Sequence, residues 1–364
     1  MLRRMEVYLL EIPLNEPFRI SSGTSTRSTN IVIRLVDANG NEGWGEASPS
    51  RRVLNETLDT VKTTLKNLFP KVKELECTDI EKLYELMMET PGSPSAKAAL
   101  DFAFFDLYGK EISKPVYKLL GGYRESIETD ITIGIMEPEE QAKRALKFVA
   151  QGFRSLKIKL GIDPKKDIER IKAIRDAVGY DIILRVDANQ GWSVNEAIYV
   201  IDKLADYEVE LVEQPIRWDD LKGLRRVRKE SSIPIAADES VKTPSDAIKV
   251  IEADAVDIIN IKLMKSRGIW GALKIASISE AAGIKNMIGC MGESRIGITA
   301  GVHVAQGLKN IMIYDLDSDL LLKEDVVIEG GASIEQGVRR AGSDSGLGIK
   351  NVRKEMLTQI SVLK

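Results

Sequence analysis

From about residue 128 onward, short apolar runs alternate with longer amphipathic stretches. The amphipathic stretches, such as PKKDIERIKAIRDAV, VNEAIYVIDKLADY and WGALKIASISEAAG, repeat their apolar residues at the spacing of a helix. The apolar runs are rich in β-branched residues and have the length of buried strands; they are TDITIGI, SLKIKL, DIILRVDAN, VELVEQP, IPIAADES, AVDIINIKL, NMIGC and NIMIYDLD. Eight such strands with helices between them predict a parallel α/β barrel. A doubly wound open sheet is the competing interpretation, but no glycine fingerprint follows the first strand.

The first 125 residues or so carry their patterns in a different order. The segments EVYLLEIPL and NIVIRLVDANGNEGWGEA alternate as strands do, and the turn signal Ala38-Asn39-Gly40 lies within the second. Helical stretches follow at NETLDTVKTTLKNLF, TDIEKLYELMME and SAKAALDFAFFDLYGKEI. Strands first and helices after predict an α+β arrangement. Residues 18–30 are small, polar and glycine-containing, which predicts a mobile loop of the kind that covers sites.

The composition narrows the class of protein. The 52 basic and 55 acidic residues leave a net charge of −3, which removes the usual electrostatic reason to expect nucleic-acid binding. Cys77 and Cys290 with a single histidine cannot build a zinc site, and disulfide-stapled secretion is not expected. The N-terminal apolar run is broken by Glu6, Glu11 and Pro13, so it predicts neither a signal peptide nor a membrane span. We therefore expect a globular, cytoplasmic protein without nucleic-acid or membrane partners.

The one histidine limits the chemistry further. His303 lies in ITAGVHVAQGLKN, which has the pattern of a helix, and we expect it to pack rather than to catalyse. A Ser-His-Asp or Cys-His hydrolase would have to use it. Proton transfer in this protein must therefore rely on carboxylates, lysines or a metal.

Polar residues at the carboxyl ends of the predicted strands recur at nearly constant spacing. They are Lys159, Asp187, Glu213, Asp238, Lys262 and Asp315. The strand ends of a barrel converge on one face, so three carboxylates from adjacent strands should lie side by side with a lysine on each flank. Such carboxylates repel one another unless a cation compensates them, and oxygen ligands alone suit Mg²⁺, with Mn²⁺ as a substitute. Helix caps or surface ion pairs at the βα turns are the alternative interpretation.

The lysines suggest acid–base chemistry. Lys157 and Lys159 alternate with apolar residues and so point to one side of their strand, where like charge should lower the pKa of each amine. Lys262 follows the sixth strand, across the barrel from Lys159. Two bases on opposite sides of a divalent cation fit removal of a proton from one face of a carbon and its return to the other. A substrate carboxylate on Mg²⁺ would stabilise the enediolate that α-proton loss forms.

Five motifs resemble the signature of the enolase superfamily, muconate-lactonizing subgroup: Lys157-Ile158-Lys159, Val186-Asp187-Ala188-Asn189, Glu213-Gln214-Pro215, Ala237-Asp238-Glu239-Ser240 and Asn260-Ile261-Lys262. The metal ligands that the resemblance implies are Asp187, Glu213 and Asp238, with one Mg²⁺ per subunit. It implies Lys159 and Lys262 as the acid/base pair, with Lys157 tuning Lys159. It also implies a modified (β/α)8 TIM barrel, (β/α)7β, over residues 126–329, and an α+β capping domain over residues 1–125 joined by the C-terminal segment 330–364.

One further motif separates the members of this subgroup, which include muconate cycloisomerases, o-succinylbenzoate synthases, N-acylamino acid racemases and dipeptide epimerases. Asp315-Leu316-Asp317 is similar to the Asp-x-Asp with which the dipeptide epimerases hold the free α-ammonium of the substrate. A solvated acidic turn is the alternative. The resemblance thus implies a homo-oligomeric, Mg²⁺-dependent epimerase that inverts the C-terminal residue of a dipeptide. Further substrate contacts are expected at Thr132, Asn189, Met291, Gly23 and Thr24.

The side-chain preference stays open. Epimerases selective for L-Ala-L/D-Glu commonly carry an arginine at the tip of the loop after the first strand, where this sequence places Gly23. Ala-Glu and a dipeptide with a hydrophobic C-terminal residue are both candidates. Two other classes are a Schiff-base aldolase with Lys159 or Lys262 as nucleophile and a non-catalytic binding barrel. An aldolase would not require three carboxylates at successive strand ends, and an unused site should lose its buried charges.

Overall fold

A computed structural model describes all 364 residues of the chain. The chain begins with a long antiparallel hairpin and a third strand, and helices then pack on one face of that sheet. These first elements are β1 Leu2–Ile20, β2 Gly23–Asp37, β3 Glu42–Ala47, α1 Arg51–Leu54, α2 Leu58–Val72, α3 Ile80–Glu89, α4 Pro94–Glu111, α5 Val116–Leu119 and β4 Ile127–Glu128. The α+β order that the patterns predict is confirmed.

The turn between β2 and β3 forms where its sequence signal lies. The Asp37 side chain accepts hydrogen bonds from the backbone N–H groups of Asn39 at 2.9 Å and Asn41 at 2.8 Å. Gly40 has a φ of 88°, a backbone conformation that residues with a Cβ adopt only at a cost. The short aspartate side chain and the glycine together close the turn.

The prediction of a loop over residues 18–30 is wrong, although several of these residues do cover a cavity at the barrel mouth. Phe18, Arg19 and Ile20 pair with Ser25, Thr24 and Gly23 in an antiparallel register, so the hairpin continues to a two-residue turn at positions 21–22. Most side chains from position 23 to 27 are exposed. The small polar composition therefore marks a ribbon that projects beyond the core, where backbone pairing supplies order and neither face needs apolar residues.

The predicted barrel is confirmed. Its eight strands are parallel and ordered as in the sequence, without the reversal of a doubly wound sheet: β5 Ile131–Ile133, β6 Ser155–Lys159, β7 Ile183–Asp187, β8 Val209–Glu213, β9 Ile235–Ala237, β10 Ile258–Lys262, β11 Lys285–Gly289 and β12 Ile311–Tyr314. The N–H of Asp130, just before β5, donates to the carbonyl of Tyr314 in β12 at 3.1 Å, which joins the two ends of the sheet. The helices are α6 Pro138–Ala150, α7 Pro164–Val178, α8 Val194–Leu204, α9 Leu221–Glu230, α10 Pro244–Glu252, α11 Leu263–Ser266, α12 Ile269–Ala281 and α13 Arg295–Gly307. Seven strand-to-helix units and a last strand give the (β/α)7β order.

The chain returns to its beginning after the barrel. The last elements are β13 Val327–Gly330, β14 Ser333–Glu335, β15 Val338–Arg340, β16 Ile349–Val352 and β17 Leu357–Leu363, and three single 3-10 turns lie at Ala205–Tyr207, Ser318–Leu321 and Lys354–Met356. Strand β17 pairs with β1, so the first sheet has the order β17-β1-β2-β3. The domain boundaries at 125/126 and 329/330 stay a prediction. No helix has both the length and the apolar character that crossing a bilayer requires.

Buried polar contacts fix the first sheet and its helices on the barrel. Asp101 of α4 accepts hydrogen bonds from the first N–H groups of α12, including that of Ile269 at 2.6 Å. Glu46 of β3 accepts from the N–H groups of Ser294 at 2.9 Å and Gly297 at 2.8 Å at the start of α13. These caps satisfy helix N-termini that would otherwise be buried without partners, and they hold β3 beside the barrel mouth.

His303 packs inside α13, as predicted. It is fully buried, and its Nδ1 accepts a hydrogen bond from the backbone N–H of Tyr117 at 3.0 Å. Burial lowers the pKa of the imidazole to about 4, so the ring is neutral at physiological pH. A neutral, enclosed histidine that accepts from the backbone is a structural element.

Candidate active site

Three carboxylates meet at the carboxyl ends of adjacent barrel strands. Asp187 ends β7, Glu213 ends β8 and Asp238 follows β9, and their ligand oxygens lie within 4.8 Å of one another. All three side chains are buried. Hard oxygen donors of this kind, brought to one point, fit a divalent cation such as Mg²⁺. The alternative of helix caps or surface ion pairs is therefore wrong for these residues.

Strand register produces this convergence. Lys159 is the Cα partner of Asp187, and Asp187 is the partner of Glu213, so the three strand ends align in one layer. Side chains alternate along each strand, and the residues before these ends, Ile158 and Val186 among them, turn to the other face and pack in the core. Polar residues at equivalent positions of successive strands therefore lie on the same side of the barrel mouth.

The two predicted base lysines stand at opposite ends of this carboxylate triad (Asp187, Glu213 and Asp238). Lys159 Nζ on β6 is 2.5 Å from Asp187 Oδ2, and Lys262 Nζ on β10 is 2.8 Å from Asp238 Oδ2. Burial disfavours the ammonium of Lys262, but Asp238 and Glu213 outweigh it and raise its pKa. Neutralising those carboxylates would lower the pKa of Lys262, so the protonation of this lysine depends on the charge bound at the triad.

Lys157 joins the triad to the acidic motif after β12. Its Nζ lies 2.6 Å from Glu213 Oε2, 3.2 Å from Asp187 Oδ2 and 2.7 Å from Asp315 Oδ2. We expected proximity to Lys159 to lower its pKa; instead, although burial disfavours the charged form, the surrounding carboxylates raise it, Asp315 most of all. Lys157 is therefore a fixed positive charge.

Asp315 and Asp317 form a buried acidic pair beside the triad. They are 3% and 2% exposed, so the alternative of a solvated turn is wrong. Asp317 Oδ2 accepts from the N–H of Thr132 at 2.6 Å, and Cys290 Sγ lies 3.4 Å from Asp317 Oδ1. Burial and the negative charge of Asp315 raise the pKa of Asp317. A ligand cation between the two carboxylates would relieve this repulsion.

A fourth lysine in contact with the triad, Lys265, was not found from the sequence. Lys265, which is 1% exposed, places Nζ 2.5 Å from Asp238 Oδ1 and 3.1 Å from the carbonyl of Asn260. It belongs to the single-turn helix α11 and not to a strand end, so strand-end spacing gives no signal for it. Two residues inside the quoted motifs also hold the triad: Asn260 Nδ2 donates to Glu213 Oε1 at 2.8 Å, and Gln214 Oε1 accepts from Asp238 N at 3.0 Å.

The charges of the site indicate its ligand. Six carboxylates and four lysines line it or contact the triad: Asp187, Glu213, Asp238, Glu239, Asp315 and Asp317, with Lys157, Lys159, Lys262 and Lys265. With all ten ionised, these groups of the cavity floor carry a net charge of −2, which a bound divalent cation would offset. Burial, together with the negative charges of Asp238 and Asp187, raises the pKa of Glu239 to about 8.

A cavity of about 370 Å³ opens above these groups, between the barrel mouth and the first sheet. Of the predicted substrate contacts, it is lined by Thr132, Asn189, Met291, Asp315 and Asp317. Gly23 and Thr24 do not line it, although their neighbours Ser22 and Ser25 do. A second cavity of about 680 Å³, beside α6 and residues 15–18, contains none of the strand-end carboxylates or lysines.

Barrel, triad and opposed lysines together define a class of barrel protein whose mouth holds a buried carboxylate site for a divalent cation between two lysines. The chain matches the family described as mandelate racemase / muconate lactonizing enzyme, N-terminal domain, over residues 4–121. It matches the enolase C-terminal domain-like family over residues 139–354. The chain therefore belongs to the enolase superfamily, as its motifs indicated.

Full-length relatives refine this placement. The chain is 43% identical to the hydrophobic dipeptide epimerase of Enterococcus faecalis over 353 residues, covering 96% of this chain and 99% of the relative. The structure of the dipeptide epimerase from Enterococcus faecalis V583 complexed with Mg and L-Leu-L-Tyr superimposes with a TM-score of 0.94 over 96% of this chain and 99% of that one. A substrate-liganded L-Ala-D/L-Glu epimerase from Bacillus subtilis, 39% identical, gives a TM-score of 0.95 over 97% and 99%.

Proposed function

We propose that this protein is a Mg²⁺-dependent dipeptide epimerase that inverts the α-carbon of the C-terminal residue by two-base 1,1-proton transfer. The observation that carries the proposal is the placement of Lys159 and Lys262 at opposite ends of a buried carboxylate triad, 2.5 Å from Asp187 and 2.8 Å from Asp238. The relatives named as dipeptide epimerases support the same activity.

Each group at the cavity floor has a role in this proposal. Asp187, Glu213 and Asp238 would hold the cation, which supplies positive charge beside the substrate carboxylate and so favours the enediolate. One lysine, as the neutral amine, takes the α-proton from one face, and the other, as the ammonium, returns a proton to the opposite face. Which lysine starts depends on the epimer bound.

The acidic pair selects the substrate's free amine. Asp315 and Asp317 are buried beside the floor and repel one another. An α-ammonium between them would make charge-assisted hydrogen bonds, which an acylated amine cannot replace. This feature favours an unblocked dipeptide over an N-acylamino acid.

Exchange in D₂O tests the proposal. We expect the protein, supplied with Mg²⁺, to incorporate deuterium at the C-terminal α-carbon of a subset of a dipeptide library, as read by mass spectrometry. A variant with both Lys159 and Lys262 replaced by alanine is the matched control and should incorporate none. Incorporation into N-acylamino acids alone, or into no dipeptide, would contradict the assignment.

A further inference from the structure

Asp238 stands where strand pairing ends, unlike the other two members of the triad. Asp187 and Glu213 are Cα partners in the ladder between β7 and β8. Strand β9 has only three residues, and its ladder with β10 stops at the pair Ile259 and Ala237, one residue before Asp238. Register therefore does not fix the third carboxylate, and another restraint has to hold it at the floor of the cavity.

Lys265 supplies that restraint with a single side chain. Its Nζ donates to Asp238 Oδ1 at 2.5 Å and also to the backbone carbonyl of Asp238. A third bond, 3.1 Å long, reaches the carbonyl of Asn260 in β10. Asn260 is the residue that would face Asp238 if the ladder between β9 and β10 continued by one pair. Lys265 thus joins the two strands at the point where their backbones no longer pair.

The ammonium of Lys265 has no hydrogen-bonding capacity left for a substrate. Its three N–H groups meet three protein acceptors, and the side chain is 1% exposed and does not line the active-site cavity. Lys262 contacts the same carboxylate through Oδ2 at 2.8 Å, but it lines the cavity and its Nζ makes no bond to the backbone of Asp238. Of these two lysines, only Lys262 is placed to meet a substrate.

The turn that carries Lys265 is itself held in place. It belongs to α11, where Ser266 Oγ donates to the carbonyl of Gly268 at 2.9 Å and the N–H of Gly268 donates to the carbonyl of Leu263 at 2.9 Å. Asp101 of α4 fills the space beside Gly268, since a Cβ atom there would lie 2.3 Å from the Asp101 Cγ. Packing of α4 against this turn therefore restrains the backbone from which the ammonium reaches Asp238.

We propose that Lys265 is a positioning residue for the cation site and that it acts through Asp238. It occupies Oδ1 and the carbonyl of Asp238, and it leaves Oδ2, the oxygen beside Lys262, for the cation that the triad would bind. The inference rests on the Mg²⁺ dependence in the proposed function. An ammonium near a divalent cation repels it, whereas a partner that orients a metal ligand raises the affinity for the metal. The second effect is the larger one here, because no strand pairing would hold Asp238 in its place.

Calorimetric titration of the substrate-free protein with Mg²⁺ tests this role. Lys265→Met keeps an unbranched side chain and removes the charge with all three donors, and we expect it to weaken Mg²⁺ binding by about 10- to 100-fold. Lys265→Gln retains a neutral N–H donor and should lose less. Lys262→Met is the matched control, because it removes an equal charge from the same carboxylate and leaves the backbone bridge intact. This control should bind Mg²⁺ at least as tightly as the unmodified protein.

Turnover provides a second measurement. At saturating Mg²⁺, Lys265→Met should recover most of its kcat, because Lys159 and Lys262 remain and the residues that line the cavity are unchanged. Lys262→Met should not recover, because it lacks one of the two proposed bases. A loss of kcat in Lys265→Met that saturating Mg²⁺ does not restore would mean that Lys265 acts on more than the cation site, and would overturn the assignment.

The outcomes of the titration separate position from charge. If Lys265→Met binds Mg²⁺ as tightly as the unmodified protein, or more tightly, Lys265 contributes charge alone and the inference is overturned. Lys265→Gln decides by the same criterion where thermal unfolding shows that the methionine variant does not fold. Because the titration needs no substrate, absence of α-deuterium in every dipeptide would overturn the proposed function and leave the role of Lys265 standing. Absence of Mg²⁺ binding by the unmodified protein would overturn both.

Discussion

Replacing Asp317 by asparagine isolates the proposed ammonium site. Asparagine keeps the size of the side chain and an oxygen that can accept the 2.6 Å hydrogen bond from Thr132 N, so the substitution removes the negative charge and exchanges one acceptor oxygen for an amide donor without changing the shape. Asp315 is a less clean target, because Lys157 bonds it at 2.7 Å and also contacts the triad through Glu213. A change at Asp315 would therefore disturb the cation site, whereas Asp317 has no contact with the triad.

The size of the effect follows from burial. Asp317 is 2% exposed, so water cannot replace the lost charge when a substrate ammonium is bound. Loss of one partner from a desolvated ion pair costs about 2–5 kcal/mol. Because Asp315 remains, we expect the lower half of that range, which lowers kcat/KM by about 30- to 300-fold at 1.4 kcal/mol per factor of ten.

The assay compares a free dipeptide with its N-acetyl form in both proteins. The unmodified enzyme should lose most of its kcat/KM when the substrate is acetylated, and Asp317→Asn should add little further loss for the acetylated form. Cys290→Ser, which keeps the charge of the pocket, should leave the preference for the free amine in place. Equal turnover of free and acetylated substrates by the unmodified enzyme would refute the ammonium site and favour an N-acylamino acid racemase.

Three other predictions address the metal, the bases and the fold. Asp238→Asn should weaken Mg²⁺ binding in a calorimetric titration and abolish turnover, and full activity after exhaustive chelation would contradict the cation site. Lys262→Ala should stop epimerisation yet still exchange the α-proton of one epimer for deuterium, and Lys159→Ala should exchange that of the other epimer. NMR of each pure epimer in D₂O measures this exchange. Exchange of both epimers by one variant would mean that a single lysine reaches both faces of the α-carbon. Burial lowers the pKa of His303 from 6.5 to about 4 in the folded state, so between these pH values only the unfolded chain takes up a proton at this residue. The folded state therefore has its full stability above pH 6.5 and loses stability as the pH falls to about 4. We expect this histidine to account for about 3 kcal/mol of lost unfolding free energy over that interval, seen in denaturation curves as a shallower pH dependence for His303→Asn.

The barrel and its triad were predictable because residues that are one strand-helix unit apart in the sequence fall at the same height on neighbouring strands of a parallel sheet. One strand-helix unit separates Asp187 from Glu213 and Glu213 from Asp238, so each carboxylate falls at the same phase of its strand and on the same face. The strand patterns were strong for the same reason. Strands covered on both faces are nearly continuous apolar runs, and a polar residue at the end of such a run stands out.

Features made by contact between distant segments were not predictable. Lys265 contacts Asp238 from a single-turn helix, and Arg52 lies against Gly23 although 29 positions separate them in the chain. No period of helix or strand encodes either contact. Of the carboxylates that raise the pKa of Lys157, Asp315 has the largest effect, and the chain reaches this residue only after its last barrel strand. The sequence shows only that Lys157 is next to Lys159 on one strand, and like charge at that distance predicted a lowered pKa for Lys157.

Chemistry and side-chain selection come from different parts of this fold. Lys157, Lys159, Lys262 and the triad stand on or directly after barrel strands, and every one of these side chains is buried. Ser22 and Arg52, which line the opposite side of the cavity (its roof), belong to the hairpin tip and to the short helix α1, and both are exposed. Substitution in the roof should therefore change which side chain is accepted while the distances between bases and triad stay the same. Substitution in the floor changes a network of ten coupled charges, so its effects should be strongly non-additive.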